Sequence, residues 1–161
     1  MPDGTSQILI HLRWEVAAAA EAPLTLEGRG RLPSYVQRYA ETLGSRVHAV
    51  GGQDDHLHVL LDIPPTKTLQ SVEDELRRAS QRFLRDVLGD RSFAWADGGR
   101  LYISVSPSEQ EAVAEYVQLQ DDHHANGDIW GYLESGAVED AAATPEEEMP
   151  EWLRSALRKP K

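Results

Sequence analysis

Apolar and polar residues alternate with a period of two in QILIHLRWEV, Gln7 to Val16, where Ile8, Ile10, Leu12, Trp14 and Val16 share one face; this predicts a half-buried strand. AAAAEAPLTLEGRGRLP then reads as a loop. Leu32, Tyr35, Val36, Tyr39, Ala40 and Leu43 recur at helical spacing and Gly44 supplies a stop, so a first helix is predicted over Leu32 to Leu43. SRVHAVGG is a second strand and the run from His56 a third. GQDD connects them as a hairpin, and Pro64 and Pro65 end the third strand. From Thr68 to Leu88 the positions Leu69, Val72, Leu76, Ala79 and Phe83 trace a helical stripe. LYISVS, Leu101 to Ser106, is a fourth strand. Ser106, Pro107 and Glu109 supply an N-cap, a first-turn proline and a capping-box acid for a helix running to about Gln120.

The order β-α-β-β-α-β-α places the chain in the α+β class, with a ferredoxin-like antiparallel sheet and helices packed on it. At 161 residues one domain is expected, assigned here to residues 7–125. Residues 126–161 are expected to form an acidic C-terminal extension: ESGAVEDAAATPEEEMP as a linker, then a short helix in EEEMPEWLRSALRK.

Charge and composition narrow the classes. There is no cysteine, which removes disulfides, thiolate ligands and cysteine nucleophiles. No apolar run approaches the roughly 18 residues of a spanning helix, and MPDGTSQ lacks the features of a secretory signal, so a soluble cytoplasmic protein is expected. The net charge is −11, of which residues 121 to 161 carry −6 and residues 1 to 120 carry −5. A phosphate-binding surface would therefore have to be a local patch.

The chemistry starts from GGQDDHLHVLLDIPP, Gly51 to Pro65. His56 and His58 lie at i and i+2 of a strand and project to one side, with Leu57, Val59, Leu61 and Ile63 on the other, core-facing side. Two such imidazoles are half of a metal site, a pair of phosphate donors, or polar residues on a solvated face. Tyr116 and Gln120 are four apart on the last helix and face the same way. A phenol with a pKa near 10 is a poor nucleophile at neutral pH, but a cation-polarised phosphate needs less nucleophile strength. His56, His58 and the Gln120 carbonyl would form a three-ligand N,N,O set. Arg78, Arg82 and Arg85, at i, i+4 and i+7, form a solvated face or a phosphate track. His123 and His124 read as residues that pack a helix end or assist a metal, with helix-end packing the favoured reading, and His11 and His48 as structural.

DDHLHVLLDIPP followed by ISVSPSEQEAVAEYVQLQDDHH resembles the single-tyrosine HUH transposases of small insertion sequences, including the REP-associated tyrosine transposases; the similarity covers roughly residues 7 to 125. The resemblance implies that His56, His58 and Gln120 bind Mg2+ or Mn2+ and that Tyr116 attacks single-stranded DNA. It further implies a 5′-phosphotyrosine intermediate, a free 3′-hydroxyl, recognition of hairpin-containing DNA, and a homodimer. Membranes are not expected as partners. The acidic charge favours an alternative: a domesticated descendant that binds DNA or another partner without transposing. A histidine-triad hydrolase would need a third alternating histidine where Leu60 stands, and a two-histidine phosphoesterase would need a second histidine motif that the chain lacks.

Overall fold

A computed structural model describes residues 7–136 and 150–157. The elements run β1 (Leu9–Glu15), α1 (Leu26–Thr42), β2 (Arg46–Gly52), β3 (His56–Asp62), α2 (Leu69–Arg82), β4 (Leu101–Val105), α3 (Gln110–Gln118), α4 (Gln120–Ala125), α5 (Gly131–Ser135) and α6 (Glu151–Leu157). The four strands form one sheet in the order β2-β3-β1-β4, with every neighbouring pair antiparallel. This is the arrangement expected of two interleaved β-α-β halves. Of the expected linker, 137–149 lie outside the described residues.

Each sheet face carries its own apolar cluster, because alternate residues of a strand point to opposite sides. Leu12, Trp14, Val16, Leu57, Val59 and Leu61 pack under α1 and α2 against Leu32, Val36, Leu76 and Leu84. Leu12, Val59, Leu61, Leu32 and Leu84 are fully enclosed. Each such side chain stabilises the fold by about 1.5–3 kcal/mol relative to exposure. On the other face, Leu9, Ala49, Leu60, Ile103 and Val105 meet Ala112, Val113, Tyr116 and Val117 of α3, with Trp130, Leu133 and Leu153 from the segments beyond it. The side of β3 that bears His56 and His58 is therefore covered by helix rather than solvated.

Three local expectations change. Helix α1 starts six residues before Leu32, because Thr25 caps it: its hydroxyl accepts from the Gly28 N–H at 3.0 Å. Gly28, Gly30 and Pro33 weaken the local helical signal, but Gly28 lets the first turn settle against Leu24 and Leu84, where a Cβ would be crowded. Helix α2 does not continue as an α-helix to Leu88; it widens into a π-turn over Phe83–Val87 that buries Phe83 and Leu84. Finally, the Ser106 hydroxyl bonds the Glu109 carboxylate rather than a backbone N–H, and residues 107–109 form a 3-10 turn before α3. Helix α3 ends at Gln118, and Leu119, at φ −103° and ψ 34°, separates it from α4. Tyr116 and Gln120 thus sit on two successive helices.

Candidate active site

In the β1–β3 ladder Arg13 lies opposite His58 and Glu15 opposite His56; in the β2–β3 ladder Gly51 lies opposite His58. Gly51 decides how closely α3 approaches. A Cβ at this position would penetrate the carbonyl oxygen of Val117, so only glycine lets α3 settle on the sheet here. Tyr116 is consequently fully buried beside His58, with ring centroids 5.9 Å apart. Behind the tyrosine, the His123 ring stacks at 5.0 Å, and Trp152 of α6 stacks on His123 at 4.4 Å.

Five side chains from β3, α4 and α5 meet in one cluster: His56, His124 and Glu134 place potential ligand atoms within 4.8 Å of one another, and His58 joins them through Glu134. The Nε2 of His56 is 3.2 Å from the Gln120 Oε1, and the Nε2 of His124 is 3.0 Å from the same oxygen. His58 Nε2 is 3.1 Å from Glu134 Oε1, while His56 Nε2 lies 3.5 Å from Glu134 Oε2. The other ring atoms are held from outside. His56 Nδ1 is 2.6 Å from Asp55 Oδ1, and His58 Nδ1 is 2.8 Å from His11 Nε2. The Gln120 amide nitrogen donates to the Tyr116 carbonyl at 3.0 Å, which leaves its oxygen facing the histidines. Arg13 Nε donates to Glu134 Oε2 at 3.1 Å. The Tyr116 hydroxyl donates to Glu134 Oε1 at 2.6 Å and accepts from the Trp130 N–H at 3.2 Å.

These contacts set the protonation states. Burial, reinforced by the hydrogen bond to the Glu134 carboxylate, raises the Tyr116 phenol well above its usual range and keeps it protonated. Burial alone would raise Glu134, but the hydrogen bonds it accepts from His58 and the Tyr116 hydroxyl hold it well below the usual carboxylate range. Burial pushes His58 down to about 4, against the opposing pull of Glu134. His11 is also lowered, by burial and then by His58.

The sign of the resulting pH dependence is fixed. Between pH 6.5 and about 4 the unfolded chain binds a proton at His58 that the folded chain excludes, so stability falls as pH drops through that window. Urea unfolding in chelator-containing buffer should show this loss, and His58→Ala should make the slope shallower; an unchanged slope would contradict the buried neutral imidazole.

The chemistry of the donor set fits a divalent cation. In the neutral tautomer that donates Nδ1–H to Asp55, His56 turns the Nε2 lone pair toward the Gln120 carbonyl oxygen, itself an acceptor, and the Glu134 carboxylate stands beside them. Lone pairs facing one another at such distances call for positive charge between them. His56, His124 and Glu134 each place a potential ligand atom within 4.8 Å of the others.

Of the residues singled out by sequence, the structure brings His56, His58, Tyr116 and Gln120 together. It does not bring Arg78, Arg82 and Arg85 to them: these lie on α2 and the π-turn, on the layer across the sheet. Arg78 pairs with Glu75 at 2.6 Å, and Arg85 donates to the Phe93 carbonyl at 2.5 Å. Sequence reasoning missed Arg13 and Glu134, took His11 as structural only, and weighed a metal role for His124 without favouring it. His11 and Arg13 had a legible signal, since both lie on the face of β1 opposite Leu12 and Trp14. Glu134 had none, because no local spacing links it to Tyr116.

No helix among the described residues is long and apolar enough to cross a membrane. Among curated protein sequences none matches the chain. Solved structures that share its fold include two transposases. One is a candidate transposase from Deinococcus radiodurans R1, 18% identical, with a TM-score of 0.59, covering 73% of this chain and 93% of its own. The other is a REP-associated tyrosine transposase bound to a REP hairpin, 11% identical, with a TM-score of 0.54, covering 89% of this chain and 96% of its own. The model of the IS200-like transposase family matches residues 5–120, well over half the sequence and the segment that carries β1 to β4, Tyr116 and Gln120; the chain belongs to this family.

Proposed function

We propose that this transposase-family chain cuts and rejoins single-stranded DNA through Tyr116, with Mg2+ or Mn2+ held by His56, His58 and Gln120. The observation that carries the reading is the meeting, in one buried cluster, of a tyrosine hydroxyl, two strand-borne imidazoles and an amide oxygen. The Tyr116 oxygen attacks the phosphorus of a phosphodiester, forming the Tyr–O–P bond as its proton passes by way of the Glu134 carboxylate to solvent and the bond from phosphorus to the 3′ oxygen breaks. The products are a 5′-phosphotyrosine and a 3′-hydroxyl once that oxygen takes a proton from solvent. Attack by a 3′-hydroxyl on the phosphotyrosine reverses the exchange, and because the ester is conserved no nucleotide cofactor is required. A bound divalent cation supplies charge stabilisation on the non-bridging phosphate oxygens.

The chain's own groups fix the geometry. Asp55 and His11 set the His56 and His58 rings, and the Trp130 N–H holds the phenol oxygen. Arg13 brings a cation to the site through its bond to Glu134. Arg78, Arg82 and Arg85 would serve as a distal backbone contact for the DNA. The hairpin carried by the REP-associated neighbour supports a hairpin-containing single strand as substrate. A homodimer and a cytoplasmic location complete the proposal. Tyr116 meets His58 of its own chain, which favours a site formed in cis.

Incubation of the full chain with a labelled hairpin-containing single strand and Mn2+ should give a denaturation-resistant adduct that maps to Tyr116. Tyr116→Phe should fold, bind Mn2+ and form no adduct. An adduct at Tyr102 or Tyr132 would overturn the nucleophile assignment, and no adduct on any hairpin, the chain's own flanking DNA included, would favour the domesticated reading that the −11 charge suggests.

A further inference from the structure

The family match ends at residue 120, yet two of the five side chains at the centre of the site come from beyond it: His124 from α4 and Glu134 from α5. We propose that both are ligands of the divalent cation, so that this chain holds the ion with His56, His58, Gln120, His124 and Glu134. The inference rests on the metal-dependent reading above.

Three observations carry it. The separations between neighbouring donor atoms fall in a narrow band. They are 3.2 Å for His56 with Gln120, 3.0 Å for His124 with Gln120, 3.1 Å for His58 with Glu134, 3.4 Å for His124 with Glu134 and 3.5 Å for His56 with Glu134; the atoms of His56, His124 and Glu134 all lie within 4.8 Å of one another, and His58 joins them through Glu134. Neighbouring ligands about 2.1 Å from an octahedral cation stand about 3 Å apart. Second, the contacts of Glu134 with His56 and His124, at 3.5 and 3.4 Å, are too long for good hydrogen bonds, so hydrogen bonding does not account for the convergence of all three imidazoles on this carboxylate. Third, the outward atoms of three residues are already committed: His56 to Asp55, His58 to His11 and Gln120 to the Tyr116 carbonyl. Their inward atoms meet one another and the Glu134 carboxylate, contacts that a shared cation would replace.

The donor set also selects among cations. Three imidazoles favour a transition ion over Mg2+, and a carboxylate with an amide oxygen is compatible with Mn2+. Glu134 adds a negative charge that a set of two histidines and a glutamine lacks. The same carboxylate accepts the Tyr116 hydroxyl, so the residue that helps hold the ion also fixes the nucleophile beside it. A competing account would make the Glu134 carboxylate a stand-in for the scissile phosphate, held by Arg13, His58 and Tyr116.

The test is Mn2+ titration of the full, chelator-stripped chain, following the free-ion signal by electron paramagnetic resonance. Wild type is compared with Glu134→Gln, which retains an acceptor for Tyr116 and His58, with His124→Asn, and with the His56→Ala/His58→Ala double variant. Each single variant should bind Mn2+ at least about 10-fold more weakly. Pulsed measurements with 15N-histidine should count three coordinated imidazoles in wild type and two in His124→Asn. Wild-type affinity in both single variants, with loss in the double variant, would overturn this inference and leave the proposed metal dependence standing. Wild-type affinity in the double variant would overturn that dependence itself. Tighter binding of a single-stranded oligonucleotide by Glu134→Gln, with Mn2+ affinity unchanged, would overturn the ligand role in favour of the phosphate stand-in.

Discussion

A chain carrying His56→Ala and His58→Ala should bind Mn2+ roughly 100-fold or more weakly than wild type and form no covalent DNA adduct. The loss follows from removing two of the inward-facing nitrogens at once, where disturbing even the groups that orient a ligand costs roughly 10–100-fold. The substitution also reaches the fold. Both rings are buried, at 2% and 0% exposure, under α3 and the segment that carries Glu134. Truncation leaves a cavity and removes the partner of His11 Nε2, so a destabilisation of about 2–5 kcal/mol is expected. Circular dichroism and urea unfolding should show a cooperative fold with a lower midpoint, and Mn2+ affinity should be read well below that midpoint. Unaltered affinity in the folded double variant would remove these histidines from the metal site.

Gly51→Ala should do comparable damage without touching a single polar group. The added methyl would occupy the space of the Val117 carbonyl oxygen, which is backbone and cannot rotate aside. Helix α3 must lift from the edge of the sheet, at an expected cost of about 1–3 kcal/mol or more. Because Tyr116 precedes Val117 and Gln120 follows shortly after, the lift also separates them from the histidines on β3. Mn2+ affinity and adduct formation should both fall. A variant of wild-type stability and wild-type affinity would show that α3 is not seated by this contact.

The sheet was legible because period-two runs such as Ile10 to Val16 and Leu57 to Ile63 report one buried face directly. The second buried face was not, since it is built from mixed residues: Leu9, His11 and Arg13 on β1, and His56, His58 and Leu60 on β3. A polar face in sequence reads as solvent-exposed unless something is known to cover it, and the cover here is α3 together with residues 128–135. The start of α1 was hidden by two glycines and a proline whose low helical propensity is outweighed by the Thr25 cap and by docking on Leu24 and Leu84. Tyr116, Gln120 and the histidine pair stood out through the order and spacing of their motifs. Glu134 became visible only when the chain folded back, because its relation to His58 and Tyr116 spans 76 and 18 residues.

The division of the sheet into one wholly apolar side and one that adds the histidine cluster to its apolar residues bears on how such a chain diverges. A change at Leu76 or Val36 is separated from the histidines by a full layer of backbone, so its free-energy effect should add to that of a change at His124 rather than couple with it. Drift in the α1–α2 layer can then proceed while the reacting groups keep their places, and residues beyond the last family-matched position can be recruited to the reactive side without repacking the other. Descendants of one scaffold would come to differ in how they hold an ion and a nucleophile while sharing the same four strands.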